Sequence, residues 1–102
     1  MKRIMVRYRV KPDQVEENER LVRAVYEELR QLKPAAMRYS THRLDDGQSF
    51  VHLHESGPDS IAMTDLEAFR DFQREIRERC EEPPVVTELA EIGAYDSAEA
   101  GG

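Results

Sequence analysis

Residues 37–55 read MRYSTHRLDDGQSFVHLHE, two alternating segments on either side of Asp45-Asp46-Gly47. Segments 37–44 and 49–55 carry the β-branched and aromatic content of strands, and Asp-Asp-Gly is a turn signal, so the stretch predicts a β-hairpin. The turn suits a three-residue loop, a type I turn followed by Gly47 in the left-handed region, forming a G1 bulge. In that register Leu44 opposes Gln48, His42 lies beside Phe50, Ser40 beside His52 and Arg38 beside His54. Met37, Tyr39, Thr41, Val51 and Leu53 then share the opposite face. As the more apolar set, they are expected to pack under helices. Moving the pairing by one residue would mix the two sets, so the pattern itself selects this register.

Upstream, residues 2–10 (KRIMVRYRV) alternate with period two and predict a strand. Ile4, Val6 and Tyr8 point inward, and Met5, Arg7 and Arg9 point to the other face. Pro12 and Asp13 punctuate, with Glu16 completing a capping-box spacing from Asp13. Val15, Leu21, Val22, Val25, Leu29 and Leu32 then recur every three or four residues, predicting an amphipathic helix that ends before Pro34. The pairs Glu16–Arg20 and Glu19–Arg23 lie at i,i+4 on its outer face.

Downstream, residues 56–63 (SGPDSIAM) predict a loop, either a plain connection or a lid over a cavity mouth. Thr64 and Glu67 form a second capping-box pattern, and Leu66, Phe69, Phe72, Ile76 and Cys80 mark a second helix, stopped by Glu81-Glu82-Pro83-Pro84. Residues 85–95 (VVTELAEIGAY) predict the last strand. Its inner face is either Val85/Thr87/Leu89 or Val86/Ala90/Ile92. Residues 96–102 (DSAEAGG) form a polar tail expected to be disordered. The domain is therefore expected to occupy 1–95.

The order βαββαβ specifies an α+β fold, the ferredoxin-like sandwich. Two helices cover one face of a four-stranded antiparallel sheet, and the other face has nothing of its own to cover it. In the hairpin register above, that uncovered face gathers Arg7, Arg9, Arg38, His42, His52 and His54 around Phe50. Function is expected there.

The layout over residues 2–95, with SFVHLHES (49–56) leading to LEAFRDFQREI (66–76) and the closing PPVVTELAEIGAY (83–95), resembles the dimeric α/β-barrel superfamily. That superfamily includes the antibiotic-biosynthesis-monooxygenase-like proteins. The resemblance implies a homodimer in which two sheets pair into a barrel with a small-molecule cavity in each half. Its members include cofactor-free oxygenases of polycyclic phenols, haem-degrading enzymes and isomerases. Trp is absent here, and the only Asn, Asn18, lies on the first helix.

With 102 residues, the chain has room for one domain. Charged residues make up 35% of it, with 15 Lys and Arg against 21 Asp and Glu, for a net charge of −6. An acidic balance argues against a protein whose task is neutralising phosphates, so no nucleic-acid partner is expected. No stretch is long and apolar enough for a bilayer, and Met1 leads into no signal-peptide core, so a cytoplasmic location without membrane association is expected. One cysteine, Cys80, rules out an internal disulfide and any multi-cysteine metal cage. Beside Glu81 and Glu82 it is expected to pack rather than react.

His52 and His54, two apart on one strand, are the candidate catalytic pair, able to act as general bases near neutral pH. Arg7, Arg9, Arg38, His42 and Phe50 are the candidate ligand-binding set. The arginines suit a carboxylate, phosphate or phenolate, or else pair with Glu88, Glu91 or a partner protomer. Three imidazoles on one face can also ligate a metal or simply pack in a dimer interface. No metal or cofactor is expected. The leading function is a small-molecule-binding homodimer, acting as a cofactor-independent oxygenase or isomerase on an aromatic or anionic metabolite. The alternatives are a structural or regulatory dimerisation module and, more distantly, an RNA-recognition module, which shares the element order.

Overall fold

Strand β1 (Lys2–Val10) sits inside a four-stranded antiparallel sheet of order β2-β3-β1-β4, with β2 at Met37–Arg43, β3 at Ser49–Ser56 and β4 at Cys80–Glu88. This computed structural model describes residues 1–100 and confirms the ferredoxin-like sandwich. Helix α1 (Val15–Leu32) follows a 3-10 turn at Pro12–Gln14, with no side-chain cap from Asp13. It ends at Lys33, whose left-handed backbone (φ 49°) lets its N–H reach the Leu29 carbonyl at 2.8 Å. Asn18, Val22 and Val25 are its buried residues, at the spacing of one helical face.

The second helix is broken into α2 (Glu67–Arg74) and α3 (Ile76–Arg79), with Glu75 (φ −128°, ψ 24°) between them. No side chain of its own caps α2. The Glu28 carboxylate of α1 accepts from the N–H groups of Glu67 (3.2 Å) and Ala68 (2.8 Å). Two of the donors that open any helix are thereby satisfied from a neighbouring one. The break lets Arg79 turn inward and donate to the Phe72 carbonyl at 2.7 Å, satisfying one of the carbonyls that end α2.

Cys80 does not close this helix; it is the first, buried residue of β4. That strand starts well before the alternation of 85–95 suggests, and takes in Pro83 and Pro84. Proline is tolerated because β4 is an edge strand and the pair falls at a register shift opposite Tyr8, between Arg7↔Val85 and Arg9↔Glu82. Val86 pairs with Val6 and so shares its helix-side face, which settles the inner face of β4. Past Glu88 the chain leaves the sheet with Ile92 and Tyr95 exposed, and Ser97–Ala100 form one helical turn, α4. The last two residues of the polar tail, 101–102, lie outside the described residues.

The hairpin register differs from the expected one by a residue. Leu44 N–H donates to the Ser49 carbonyl (2.8 Å), so Leu44 faces Ser49 rather than Gln48, and His52 pairs with Thr41 rather than Ser40. Gly47 does take the left-handed conformation (φ 75°), within a four-residue loop. Asp46 fixes that loop: its carboxylate accepts from Gln48 N–H (2.9 Å), Ser49 N–H (2.7 Å) and Ser49 Oγ (2.6 Å). A one-residue slip exchanges the faces of a strand. Here only β3 is affected: β1 and β2 keep the expected orientation, while Phe50, His52 and His54 face the helices and Val51 and Leu53 face away.

The core lies between sheet and helices and is built on Tyr8, Val10, Val22, Val25, Phe50, Leu66, Phe72 and Cys80. Phe50 stacks on Tyr8 with ring centroids 5.6 Å apart and planes 13° from parallel. Burying a ring of that size stabilises by about 1.5–3 kcal/mol. Among the described residues no helix is long and apolar enough to cross a membrane.

Candidate functional site

Between the helix-facing side of the sheet and α2 lies a cavity of about 460 Å³. Ile4 and Val6 of β1, Val86 of β4, and Phe69, Phe72 and Ile76 beyond them give it an apolar lining. The loop after β3 contributes Ile61, Ala62 and Met63, and it is anchored where Gly57 N–H donates to the Ala36 carbonyl at 2.8 Å. Tyr39, His52, His54 and Ser56 put polar groups on the sheet wall, Lys2 adds a charge, and Thr64 and Gln73 add polar groups from beyond the sheet. An apolar cavity of this size with a few convergent polar groups has the character of a small-molecule site.

His52 is 4% exposed, and both its ring nitrogens are engaged. Nε2 lies 2.7 Å from the Tyr8 hydroxyl, and Nδ1 lies 2.6 Å from the Tyr39 hydroxyl and 3.2 Å from Thr41 Oγ1. Beyond Tyr8 the chain continues inward: Asn18 Nδ2 donates to the Tyr8 hydroxyl at 2.8 Å, and Arg79 Nε donates to Asn18 Oδ1 at 3.3 Å. Beyond Thr41 it continues outward to the Tyr26 hydroxyl, 2.7 Å away. Loss of water on burial, with a smaller push from His42, lowers the His52 pKa to about 4, so the imidazole is neutral at pH 7. Burial raises the Tyr8 and Tyr39 phenols above their ordinary range, keeping both protonated.

His54 packs edge-on against Tyr39, with centroids 5.8 Å apart. Its Nε2 is buried and has no hydrogen-bond partner among the described residues. Burial and the nearby Lys2 charge lower its pKa below the usual histidine range. His54 lines the cavity, and a neutral imidazole whose nitrogen has no partner can accept a proton from a group that reaches it.

The expected site residues are thus divided by the sheet. His52 and His54 line the cavity; Phe50 is buried in the core rather than set on the open face. His42 lies on the opposite side, 3.2 Å from Ser40 Oγ, so the three imidazoles are not together and cannot share a metal. Arg7, Arg9 and Arg38 also face the open side. Arg9 pairs with Glu81 at 3.3 Å, while Arg7 and Arg38 make no ion pair among the described residues. The expected pairing with Glu91 goes instead to Arg3, at 2.8 Å. Tyr39, Tyr8, Asn18 and Arg79 escape sequence pattern as candidates, because each fits a strand or helix period without remark. Three tyrosines at inward or half-buried positions on β1, β2 and α1 are the available signal, since a buried phenol needs a partner.

A four-stranded antiparallel sheet with helices packed on one face is a ferredoxin-like fold. Solved structures with this arrangement include Rv0793 of Mycobacterium tuberculosis, 18% identical, with TM-score 0.73 over 93% of this chain and 98% of that one. An antibiotic biosynthesis monooxygenase is 20% identical, with TM-score 0.69 over 91% of this chain and 100% of the other. PA3566 of Pseudomonas aeruginosa is 18% identical, with TM-score 0.72 over 90% of this chain and 94% of that one. No family model and no curated protein sequence matches the chain.

Proposed function

We propose that this chain is a homodimeric small-molecule-binding protein, with its ligand site in the cavity between sheet and helices. His54 is the group that takes a proton from a weakly acidic aromatic ligand. The observation that carries this reading is the buried, unpartnered His54 Nε2 beside Tyr39 and His52 in a mostly apolar cavity of about 460 Å³. Apolar walls favour a flat hydrophobic ring system, and the polar groups of the sheet wall orient its oxygen. His52, with both nitrogens committed, supports Tyr39 rather than exchanging protons itself.

Removing a proton from an electron-rich phenol or anthrone leaves a carbanion or enolate that dioxygen can oxidise without a metal. For an anthrone, CH2 becomes C=O with one oxygen atom, and the second oxygen leaves as water. The resemblance to a monooxygenase favours that chemistry over isomerisation. The test uses 1,8-dihydroxy-9-anthrone with wild type and His54→Ala. Oxygen uptake by wild type that falls by roughly 10²-fold or more in the variant supports the reading. Equal uptake by both, or binding of 2-naphthol that His54→Ala leaves unchanged, contradicts it.

The open face supports the dimer. It presents Met5, Val51, Leu53 (37% exposed) and Val85 (62% exposed), with Arg7, Arg38 and His42 around them. An apolar centre with polar margins is the composition of a protein interface. Light scattering at low micromolar concentration should give twice the chain mass of 11.8 kDa, and Leu53→Lys should return it to that of one chain.

A further inference from the structure

Arg79 is 6% exposed and makes no ion pair among the described residues. Its cation is met by the Phe72 carbonyl (2.7 Å), the Phe72 ring (5.3 Å) and Asn18 Oδ1 (3.3 Å). A guanidinium can only donate. Asn18, wholly buried, must therefore turn its oxygen to Arg79 and its amide N–H to Tyr8. The Tyr8 oxygen accepts that bond, so its own O–H must go elsewhere. Tyr8 is 1% exposed, and His52 Nε2 at 2.7 Å is the acceptor within reach. Nε2 therefore carries no proton, and the neutral ring holds its proton on Nδ1, which donates to Tyr39. The reverse tautomer would leave the Tyr8 O–H buried without an acceptor, which folded proteins avoid. Thr41, also near Nδ1, shares its other bond with Tyr26. The Tyr39 oxygen, accepting from Nδ1, keeps its own O–H for Thr41 Oγ1 or for a ligand in the cavity that Tyr39 lines.

We infer that Arg79, acting through Asn18, Tyr8 and His52, fixes the direction of a buried hydrogen-bond chain so that Tyr39 donates its hydroxyl proton to a ligand oxygen. The ligand is then one whose oxygen bears or develops negative charge, a phenolate or enolate. This rests on the cavity being the ligand site, and it assigns the second half of the site: His54 receives the proton, and Tyr39 stabilises the anion that remains. A preorganised donor in a water-poor cavity is worth most where charge appears. Arg79, Asn18 and Tyr8 are positioning residues, since none of them reaches the ligand. Tyr39 touches it.

Asn18→Asp separates direction from packing. The side chain keeps its shape and now pairs with Arg79, but both its oxygens accept. Tyr8 must then donate to the new carboxylate, His52 must carry its proton on Nε2, and Tyr39 must donate to Nδ1 instead of to the ligand. Long-range proton–nitrogen NMR of the 15N-histidine-labelled full chain reads this without any ligand. The expected result is the Nδ1–H tautomer at His52 in wild type and the Nε2–H tautomer in Asn18→Asp. An Nε2–H tautomer in wild type overturns the inference.

The ligand arm uses 4-nitrophenol, whose two ionisation states have different absorption. Wild type should favour the bound phenolate, and the phenolate-to-phenol affinity ratio should fall roughly tenfold, or about 1.4 kcal/mol, in both Asn18→Asp and Tyr39→Phe. Equal ratios in all three proteins overturn the inference while leaving the cavity as the ligand site. Failure of 4-nitrophenol and of naphthalene alike to bind wild type removes the cavity reading, and the role of Tyr39 with it, whatever tautomer His52 holds.

Discussion

Along β3, Phe50, His52 and His54 point at the helices, while Val51 and Leu53 point away from them. By hydropathy the strand is inside out. The inner face exchanges aliphatic packing for two imidazoles, and both find a reason there: His52 is bonded to two tyrosines, and His54 opens on a cavity. The outer face holds the aliphatic side chains that a lone sheet would hide. The comparison teaches that polarity sorts side chains only when one face is meant for water. On the proposed reading, with a ligand site on one face and a second copy on the other, the sorting inverts.

The sharpest way to break the comparison is to truncate one residue from each face. Phe50→Ala should lower the unfolding free energy by about 3–5 kcal/mol, because it removes a 2%-exposed ring stacked on Tyr8. Leu53→Ala, 37% exposed in the isolated chain, should cost under about 1 kcal/mol when the monomer is compared with the monomer. Urea titrations of the two variants check this, and the reverse order would mean that β3 faces the other way.

A pH series sharpens the inner face. The folded His52 pKa, about 4, lies below the ordinary histidine value of 6.5, so the folded state binds fewer protons than the unfolded chain. Its contribution is complete above pH 6.5 and is lost as pH falls toward 4. The loss amounts to roughly 3 kcal/mol for a shift of that size. Stability measured from pH 7 to about 4 should fall steeply in wild type and more gently in His52→Gln, after allowing for that variant's lower starting value.

Smaller effects test the supports of the inner face. Glu28→Ala removes the carboxylate that caps α2 from α1 and should cost about 1 kcal/mol by thermal or urea unfolding. Asp46 is held down to about 2 by the Ser49 hydroxyl and the N–H groups of Ser49 and Gln48. A depressed carboxylate stabilises above its ordinary pKa of 3.8, and that contribution disappears as pH falls to about 2. Asp46→Asn should therefore flatten the decline in stability between about pH 4 and 2, where wild type remains sloped.

The fold is legible because period-two and helical alternation survive in β1, β2 and α1, and because Pro34 and the Asp-Gly turn mark boundaries. The register is not, because it is decided by the Asp46 side chain. Three hydrogen bonds to one carboxylate set a four-residue loop, and Asp-Asp-Gly alone is equally compatible with three. Pro83-Pro84 suggests a stop, whereas an edge strand with a bulge takes both prolines. His52 and His54 are recognisable as a pair, since i,i+2 spacing holds in either register, but the face they share is not. Arg79 and Asn18 carry no local signal at all. Their meeting across 61 residues depends on the break at Glu75, a tertiary feature.

The claim on which the rest depends is that a ligand enters between sheet and helices, on the His54 side. A crystal of the full chain soaked with 2-naphthol tests it directly. The account predicts ring density against Phe69, Phe72 and Val86, with the naphthol oxygen within hydrogen-bond distance of Tyr39 or His54. Density confined to the open face, beside Arg7, His42 and Leu53, with the inner cavity filled by side chains, would contradict it.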